Sequence, residues 1–168
     1  MPSKKATGPA SVYLIDTCIF VHAFCEGANG DPDTVEASRQ LFSRIDANDA
    51  QAYISSVTIA ELLSINYLRS DDPRKPKSGR RRNEERNKLI AWLDAHVDVV
   101  ELDRSLALEA GGLGNEHLLK GADAIIYASA IEAGVQALVT TDKGLLKTDG
   151  ADMRVVRPTQ LGGQLVFR

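Results

Sequence analysis

Short hydrophobic runs alternate along the chain with stretches in which hydrophobic residues recur at helical spacing. Five of the runs predict strands, because a strand that is buried on both faces reads as a nearly continuous hydrophobic run. These runs are VYLI at 12–15, QAYISS at 51–56, VDVVEL at 97–102, QALVTT at 136–141 and MRVVRP at 153–158. The first run leads straight into Asp16, whose charge would be costly to bury without a partner.

The stretches between these runs predict helices. They are TCIFVHAF at 17–24, TVEASRQLFSRIDAN at 34–48, VTIAELLSINYLRS at 57–70, NEERNKLIAWLDAHV at 83–97, DRSLALEAGGLGNEHLL at 103–119 and ADAIIYASAIEAG at 122–134. Strands that alternate with helices need crossover connections. The pattern therefore predicts an α/β fold in which helices cover both faces of a mainly parallel sheet.

The length of the chain favours a single domain. With 168 residues, one hydrophobic core can bury roughly 70% of the unfolded surface without a disulfide or a structural metal. We expect a flexible N-terminus over residues 1–11 and one domain over residues 12–168. Residues 70–82 contain two prolines, a glycine and no hydrophobic residue, which predicts a basic loop within that domain.

Composition and cysteine content narrow the class of protein. The chain is 43% hydrophobic and 26% charged, with no hydrophobic stretch as long as a membrane span and no secretion signal at its start. We therefore expect a cytoplasmic protein that does not bind membranes. Cys18 and Cys25, if both lie on one helix, are about 10 Å apart, which is too far for a disulfide. The absence of a CxxC pair in the sequence argues against zinc.

Positive charge is concentrated in one segment. The net charge is −3, yet residues 74–88 carry eight basic residues against two glutamates, a local charge of +6. Such a run is either a solvated charged loop or a surface that holds nucleic acid. In the second case, we expect Arg80, Arg81 and Arg82 to contact the phosphate backbone.

Four acidic residues are predicted to meet at one edge of the sheet. Right-handed crossovers place the carboxyl ends of parallel strands along one edge, and ligands bind in the crevice outside it. Asp16 and Asp142 each follow a predicted strand. Glu61 lies in the first turns of a helix that leaves this edge, and Asp123 begins a helix that starts there.

Each of these acids also has a purely structural explanation. Asp16 could cap the helix that follows it, and Glu61 could complete a capping box with Thr58. Asp123 could interact with the helix dipole, and Asp142 could form a turn. None of these explanations predicts that all four acids lie at the same edge.

Carboxylates that lie close together repel one another, so a divalent cation is expected between them. Mg²⁺ prefers carboxylate oxygen and water as ligands, Mn²⁺ is a possible substitute, and either ion can activate water for attack on a phosphodiester. The sequence contains neither a GxxxxGK[ST] phosphate-binding loop nor a GxSxG nucleophile motif. These features point to metal-dependent hydrolysis of nucleic acid.

The sequence resembles the PIN-domain nucleases and, among them, the VapC-type toxins of bacterial toxin–antitoxin pairs. The resemblance covers residues 12–157 and rests on YLIDT, ISSVTIAELL, GADAIIYASA and LVTTD in this order. It implies a three-layer α/β/α sandwich that cleaves RNA as a homodimer and is restrained by an antitoxin protein. Gly144 and Leu145 occupy positions where many relatives carry another acid and an aromatic residue.

The resemblance also assigns roles to individual residues. It implies that the metal-binding and catalytic residues are Asp16, Glu61, Asp123 and Asp142, and that Thr140 orders the site. The expected function is that of a magnesium-dependent endoribonuclease toxin. Two other classes stay open: a non-catalytic PIN-like module that binds RNA or a partner, and a phosphoaspartyl receiver or hydrolase that forms an acyl phosphate on Asp16, although Thr17 and Cys18 occupy the place of the second acid that this class usually has.

Overall fold

The computed structural model describes residues 10–24, 30–64 and 79–161. Within them, five strands form one parallel sheet in the order β3-β2-β1-β4-β5. The strands are β1 (Ser11–Ile15), β2 (Ala50–Ser55), β3 (Val97–Val100), β4 (Ala137–Val139) and β5 (Val155–Val156). All five predicted strands are confirmed, and β1 begins one residue before the predicted domain boundary at residue 12.

Seven α-helices are present in the described residues. They are α1 (Thr17–Phe24), α2 (Pro32–Asp46), α3 (Ser56–Ser64), α4 (Gly79–His96), α5 (Arg104–His117), α6 (Gly121–Glu132) and α7 (Lys143–Leu146), and a 3₁₀ turn follows at Pro158–Gln160. The sequence pattern missed α7, since four residues are too few to show a helical period. None of these helices is long and apolar enough to cross a membrane.

Capping residues explain where two of the helices begin. α2 starts at Pro32 because the side chain of Asp31 accepts a hydrogen bond from the backbone N–H of Thr34 at 2.9 Å, and proline suits the first helical position. The side chain of Asp103 accepts from the N–H of Leu106 at 2.8 Å and starts α5 in the same way. These side chains satisfy backbone donors that have no partner inside the helix.

The predicted loop over residues 70–82 is wrong at its end. Gly79–Arg82 form the first turn of α4, whereas residues 70–78 lie outside the described part of the chain, as do residues 65–70 of the helix predicted over 57–70. Arg80 Nε lies 3.0 Å from Glu84 Oε1, and Arg81 Nε lies 3.2 Å from Glu85 Oε1. Such pairs four residues apart stabilise a helix, and arginine itself is a good helix former.

Side chains of successive strand residues point to opposite faces of the sheet, and each face has its own helical layer. Tyr13 and Ile15 belong to a cluster with residues of α1, α2, α3 and α4. Leu14, between them, packs with residues of α6 and α7, and α5 packs on α6 through a neighbouring cluster. The predicted three-layer α/β/α sandwich is therefore confirmed.

The strand order creates a crevice at the centre of the sheet. From β1 the chain moves outward to β2 and β3, then crosses back to place β4 on the other side of β1. The helices that follow β1 and β4 therefore diverge, and ligands bind outside the carboxyl ends of the strands at such a switch point. The ladder closes there with a hydrogen bond from the N–H of Asp16 to the carbonyl of Val139 at 3.1 Å.

Candidate functional site

A cleft of about 410 Å³ lies outside the carboxyl ends of β1 and β4. Its lining residues are Asp16, Thr17, Cys18, Glu61, Ser64, Asp123, Ile126 and Asp142. All four acids that the sequence placed at this edge therefore face the same cleft, although they come from four separate parts of the chain. No lysine or arginine is among the lining residues.

Asp16 is the most deeply buried of the four acids, with 6% of its surface exposed. Its Oδ1 atom accepts from the N–H of Thr17 at 2.6 Å, and its Oδ2 atom accepts from Thr140 Oγ1 at 2.5 Å and from Cys18 Sγ at 3.2 Å. Burial raises the pKa of this carboxyl, the three donors lower it, and the charge of Glu61 raises it further. The net shift of the pKa is upward, so the surroundings of Asp16 oppose the charged form of its carboxyl.

The structure decides between two explanations of Glu61. The capping-box interpretation is wrong, because Glu61 Oε2 accepts a hydrogen bond from the hydroxyl of Thr17, and Thr58 Oγ1 is buried with no partner in the described part of the chain. At the start of α3, the N–H of Val57 instead bonds to Ser55 Oγ at 3.3 Å. Glu61 therefore links α3 to the start of α1.

Asp123 lies in the first turn of α6 and is partly buried. Burial is the largest cause that raises the pKa of this carboxyl, the charges of Asp142 and Glu61 raise it further, and Lys120 opposes them. The position is compatible with a helix-dipole role, but the dipole explanation does not account for the repulsion from two other acids. Asp123, Asp142 and Glu61 also line the same cleft, so the repulsion agrees with the geometry.

Asp142 is exposed and caps the short helix α7. Its Oδ1 atom accepts from the N–H of Gly144 at 2.7 Å and from the N–H of Leu145 at 3.0 Å. The structural explanation of Asp142 is thus correct as far as it goes, since the side chain does organise the local backbone. Both bonds fall on one oxygen, however, and the residue also lines the cleft.

Thr140 connects Asp142 to Asp16. Its side chain is fully buried, accepts from the N–H of Asp142 at 2.9 Å and donates to Asp16 Oδ2 at 2.5 Å. The family resemblance implied that Thr140 orders the site, and this role stays a prediction that the two hydrogen bonds motivate.

Cys18 is a residue of this site that sequence reasoning missed. Burial, assisted by the charge of Asp16, raises the pKa of the thiol to about 12, so the group stays protonated at neutral pH and donates to Asp16. The only sequence signal was its position two residues after Asp16. His22, also without a predicted role, has Nε2 at 3.2 Å from Thr141 Oγ1.

The donor chemistry of the cleft fits a hard divalent cation. Carboxylate and hydroxyl oxygens surround it, and negative charge accumulates without a basic residue in the lining. Within the described ranges, however, no three histidine, cysteine or acidic side chains are gathered closely enough to form a ready-made metal cluster. The cleft thus supplies suitable ligands around its rim, although the described acids are not drawn together into one cluster.

The structure does not bring Arg80, Arg81 and Arg82 into the cleft. They are exposed in the first turn of α4. α4 leads directly into the amino end of β3, with no residue between them. The helix has 18 residues, which corresponds to a length of about 27 Å.

Comparison with known proteins agrees with this architecture. The profile of the PIN domain family matches residues 13–151, so the chain belongs to the PIN-domain family, whose members are nucleases. A search of curated proteins found no significant match. The sequence resemblance to the PIN domain is therefore confirmed.

Solved structures show the same fold. A toxin–antitoxin complex from Klebsiella pneumoniae is similar to the chain with a TM-score of 0.58 and 22% identity, over 87% of this chain and 97% of that one. VapBC2 from Rickettsia felis bound to a promoter DNA fragment is similar with a TM-score of 0.53 and 20% identity, over 87% of this chain and 98% of that one. DNA-bound VapBC from Salmonella typhimurium is similar with a TM-score of 0.53 and 19% identity, over 88% of this chain and 98% of that one.

Proposed function

We propose that this chain is a divalent-metal-dependent endoribonuclease that acts as the toxin of a toxin–antitoxin pair. The observation that carries the proposal is the convergence of four acids on one cleft, where the charge of Glu61 helps to raise the pKa of Asp16 and the charges of Asp142 and Glu61 help to raise the pKa of Asp123. Membership of a nuclease family and the likeness to chains of VapBC complexes support it. Mg²⁺ is the expected ion, and Mn²⁺ is an expected substitute.

The side chains divide the work of such a site. Asp16 and Asp123 are the proposed direct ligands of the ion, and Glu61 and Asp142 complete its surroundings. A bound ion would make a coordinated water more acidic and offset the negative charge that develops on the phosphate. Thr140 and Thr17 hold Asp16 and Glu61 in place by the hydrogen bonds described above, so these carboxylates are oriented before substrate arrives.

The partners follow from the same proposal. RNA is the proposed substrate, and Arg80, Arg81 and Arg82 at the start of α4 are its proposed contacts outside the cleft. An antitoxin protein is the proposed inhibitor, and the cytoplasm is the proposed compartment. The predicted single domain over residues 12–168 remains part of this proposal.

We further propose a homodimer that forms through α5. Leu108 on this helix and Leu118 at its C-cap are 63% and 90% exposed. Beside them, small residues of α5 and α6 line a groove of about 420 Å³. In the proposed dimer, a twofold axis near α5 would bring the exposed leucines of one copy against this region of the other.

The proposed activity is tested by separate Asp16→Asn and Asp123→Asn changes. Each should abolish Mg²⁺-dependent cleavage of a single-stranded RNA, a loss of at least about 100-fold, because each removes a charged ligand. Asp94→Asn on the exposed surface of α4 is the matched control and should cleave normally. Unaltered cleavage by Asp16→Asn would refute the assignment.

One observation favours the alternative, a non-catalytic PIN-like module that binds RNA or a partner. The described acids, as placed, do not form an assembled metal cluster. In that case the purified chain should bind RNA equally well with Mg²⁺ or EDTA and should release no cleavage product. Loss of cleavage on EDTA addition, restored by excess Mg²⁺, would decide for the nuclease.

A further inference from the structure

Two hydrogen-bonded relays join the Thr140–Asp142 loop to the carboxylate of Asp16. In the first, the N–H of Asp142 donates to Thr140 Oγ1, which donates to Asp16 Oδ2. In the second, the N–H of Thr141 donates to Cys18 Sγ at 3.3 Å, and Cys18 donates to the same Oδ2 atom at 3.2 Å. The two relays therefore converge on one oxygen from two consecutive backbone amides.

The direction of each relay is fixed by chemistry. A backbone N–H can only donate, so the threonine hydroxyl and the cysteine thiol must accept from the loop. Each has a single hydrogen, which is then left for Asp16 Oδ2. Oδ2 is consequently occupied by two side-chain donors, whereas Oδ1 accepts only the N–H of Thr17 among the described contacts. The second relay thus helps to decide which oxygen of Asp16 stays available to the cleft.

We propose that Cys18 is a positioning residue of the metal site, which sets Asp16 and the Asp142 loop at a fixed separation. This inference rests on the proposed function, because the relays can position a metal ligand only if the cleft binds a metal ion. His22 reinforces the arrangement, since its Nε2 atom lies within 3.2 Å of the hydroxyl of Thr141, whose amide Cys18 holds.

Packing alone does not account for this cysteine. Cys18 lies at the edge of a core cluster and also lines the cleft, and its sulfur reaches three polar groups, on Asp16, Thr140 and Thr141. A residue that only filled space would gain nothing from these contacts. A thiol is also a poor ligand for a hard ion such as Mg²⁺, so a positioning role suits it better than direct coordination.

The test measures Mn²⁺ binding without RNA, by the loss of the free-ion electron paramagnetic resonance signal. Cys18→Ala should raise the Kd for Mn²⁺ by about tenfold, which is the usual loss when a partner of a metal ligand is removed. Cys18→Ser should stay within about threefold of the unaltered chain, because a hydroxyl can accept and donate the same two bonds.

Stability must be separated from positioning. Ile45→Val is the control, since Ile45 is a core residue of α2 that does not line the cleft. It should lower the melting temperature in EDTA and leave the Kd for Mn²⁺ unchanged. The positioning role is wrong if Cys18→Ala, like Ile45→Val, lowers the melting temperature and leaves the Kd for Mn²⁺ unchanged. It is also wrong if Cys18→Ser binds Mn²⁺ as weakly as Cys18→Ala.

Failure of the proposed function gives a different result. Absence of any Mn²⁺ binding by the unaltered chain would overturn both proposals together. Tight Mn²⁺ binding without RNA cleavage would refute only the nuclease, and the role of Cys18 would then be decided by the Kd values of its two variants.

Discussion

Buried and crowded carboxylates at this cleft are held in place against their own electrostatic cost. Asp16 receives three hydrogen bonds that favour its charged form, yet burial and Glu61 together outweigh them and raise its pKa. The pKa of Asp123 is also raised, by a smaller degree of burial together with the charges of Asp142 and Glu61. Carboxyl groups with raised pKa values are concentrated at functional sites, and a bound divalent cation would offset the repulsion between these carboxylates.

Asp123→Asn should stabilise the protein in EDTA at pH 7. The native pKa of Asp123 is raised, so the native state holds its proton more tightly than the unfolded chain, and stability falls as pH rises above the unfolded value of about 4. Removal of the charge removes this loss and should raise the melting temperature by about 1 °C. Thermal unfolding followed by circular dichroism measures the difference.

The pH and the metal provide internal checks on this result. Below a pH of about 4, the aspartate at position 123 is protonated and therefore neutral, like the asparagine of the variant. The difference in melting temperature between Asp123→Asn and the unaltered chain should then vanish. With saturating Mg²⁺ the order should reverse, because only the unaltered chain gains the stabilisation of a bound ion. Asp94→Asn should show neither effect. A lower melting temperature for Asp123→Asn in EDTA at pH 7 would contradict the proposed repulsion.

Helix starts organise this site more than strand residues do. Asp123 lies in the first turn of α6, Asp142 caps α7, and Glu61 is bonded to the start of α1 through Thr17. At the start of α4, Arg80 and Arg81 are paired with glutamates one turn later. The exposed Arg80–Glu84 pair is weak, so in the proposed RNA complex a phosphate would compete with Glu84 for Arg80 at little cost.

Replacement of Arg80, Arg81 and Arg82 by glutamine should weaken RNA binding and reduce its salt dependence. Removal of one arginine–phosphate ion pair with a single strand lowers the slope of log K against log salt by about 0.7, so removal of three gives a reduction of about 2. Fluorescence anisotropy over a range of KCl concentrations measures the slope in EDTA, where cleavage cannot interfere.

A matched arginine tests whether the location matters. Arg154 precedes β5 at the amino edge of the sheet and is paired with Asp149 at 3.1 Å. Arg154→Gln should leave the salt slope unchanged. An equal slope for the triple variant and the unaltered chain would remove the start of α4 from the RNA-binding surface.

On the scale of the whole molecule, the strand order places the cleft at the centre of the sheet, and no other described residue covers the end of α5 at Leu118. Leu118 ends α5 in the left-handed conformation with φ of 58° and is 90% exposed. A leucine in this conformation is uncommon, and nothing on this side of the described chain covers it. A second copy of the chain would bury it.

Leu118→Asp should convert the dimer to a monomer. Aspartate tolerates the left-handed conformation, so the fold should survive, while a buried charge at the interface would prevent pairing. Multi-angle light scattering should then give 18.2 kDa for the variant and twice this mass for the unaltered chain. Ala60→Asp, on the exposed surface of α3, should remain dimeric. A monomeric unaltered chain would refute the proposed homodimer.

The sequence alone determined the fold class and the edge at which the acids meet. Strand and helix periods are local properties, and the crossover rule then orients every strand end, so Asp16, Glu61, Asp123 and Asp142 could be assigned to one rim from their positions after strands or at helix starts. These local patterns did not predict a role for Thr140, which came only from the family resemblance. They failed for Glu61 and Thr58, where a capping motif was present but the hydrogen bond formed elsewhere.

Only the tertiary structure decided how the side chains at that rim engage one another. The contact between Cys18 and Thr141 joins residues 123 positions apart, and the bond between Thr17 and Glu61 spans 44 positions. Periodicity cannot reveal such partners, because a hydrogen bond requires two atoms to lie within about 3 Å, whereas a pattern assigns a residue only to a face or an edge. The chemistry of the cleft therefore depends on the packing of α1, α3 and the β4–α7 loop.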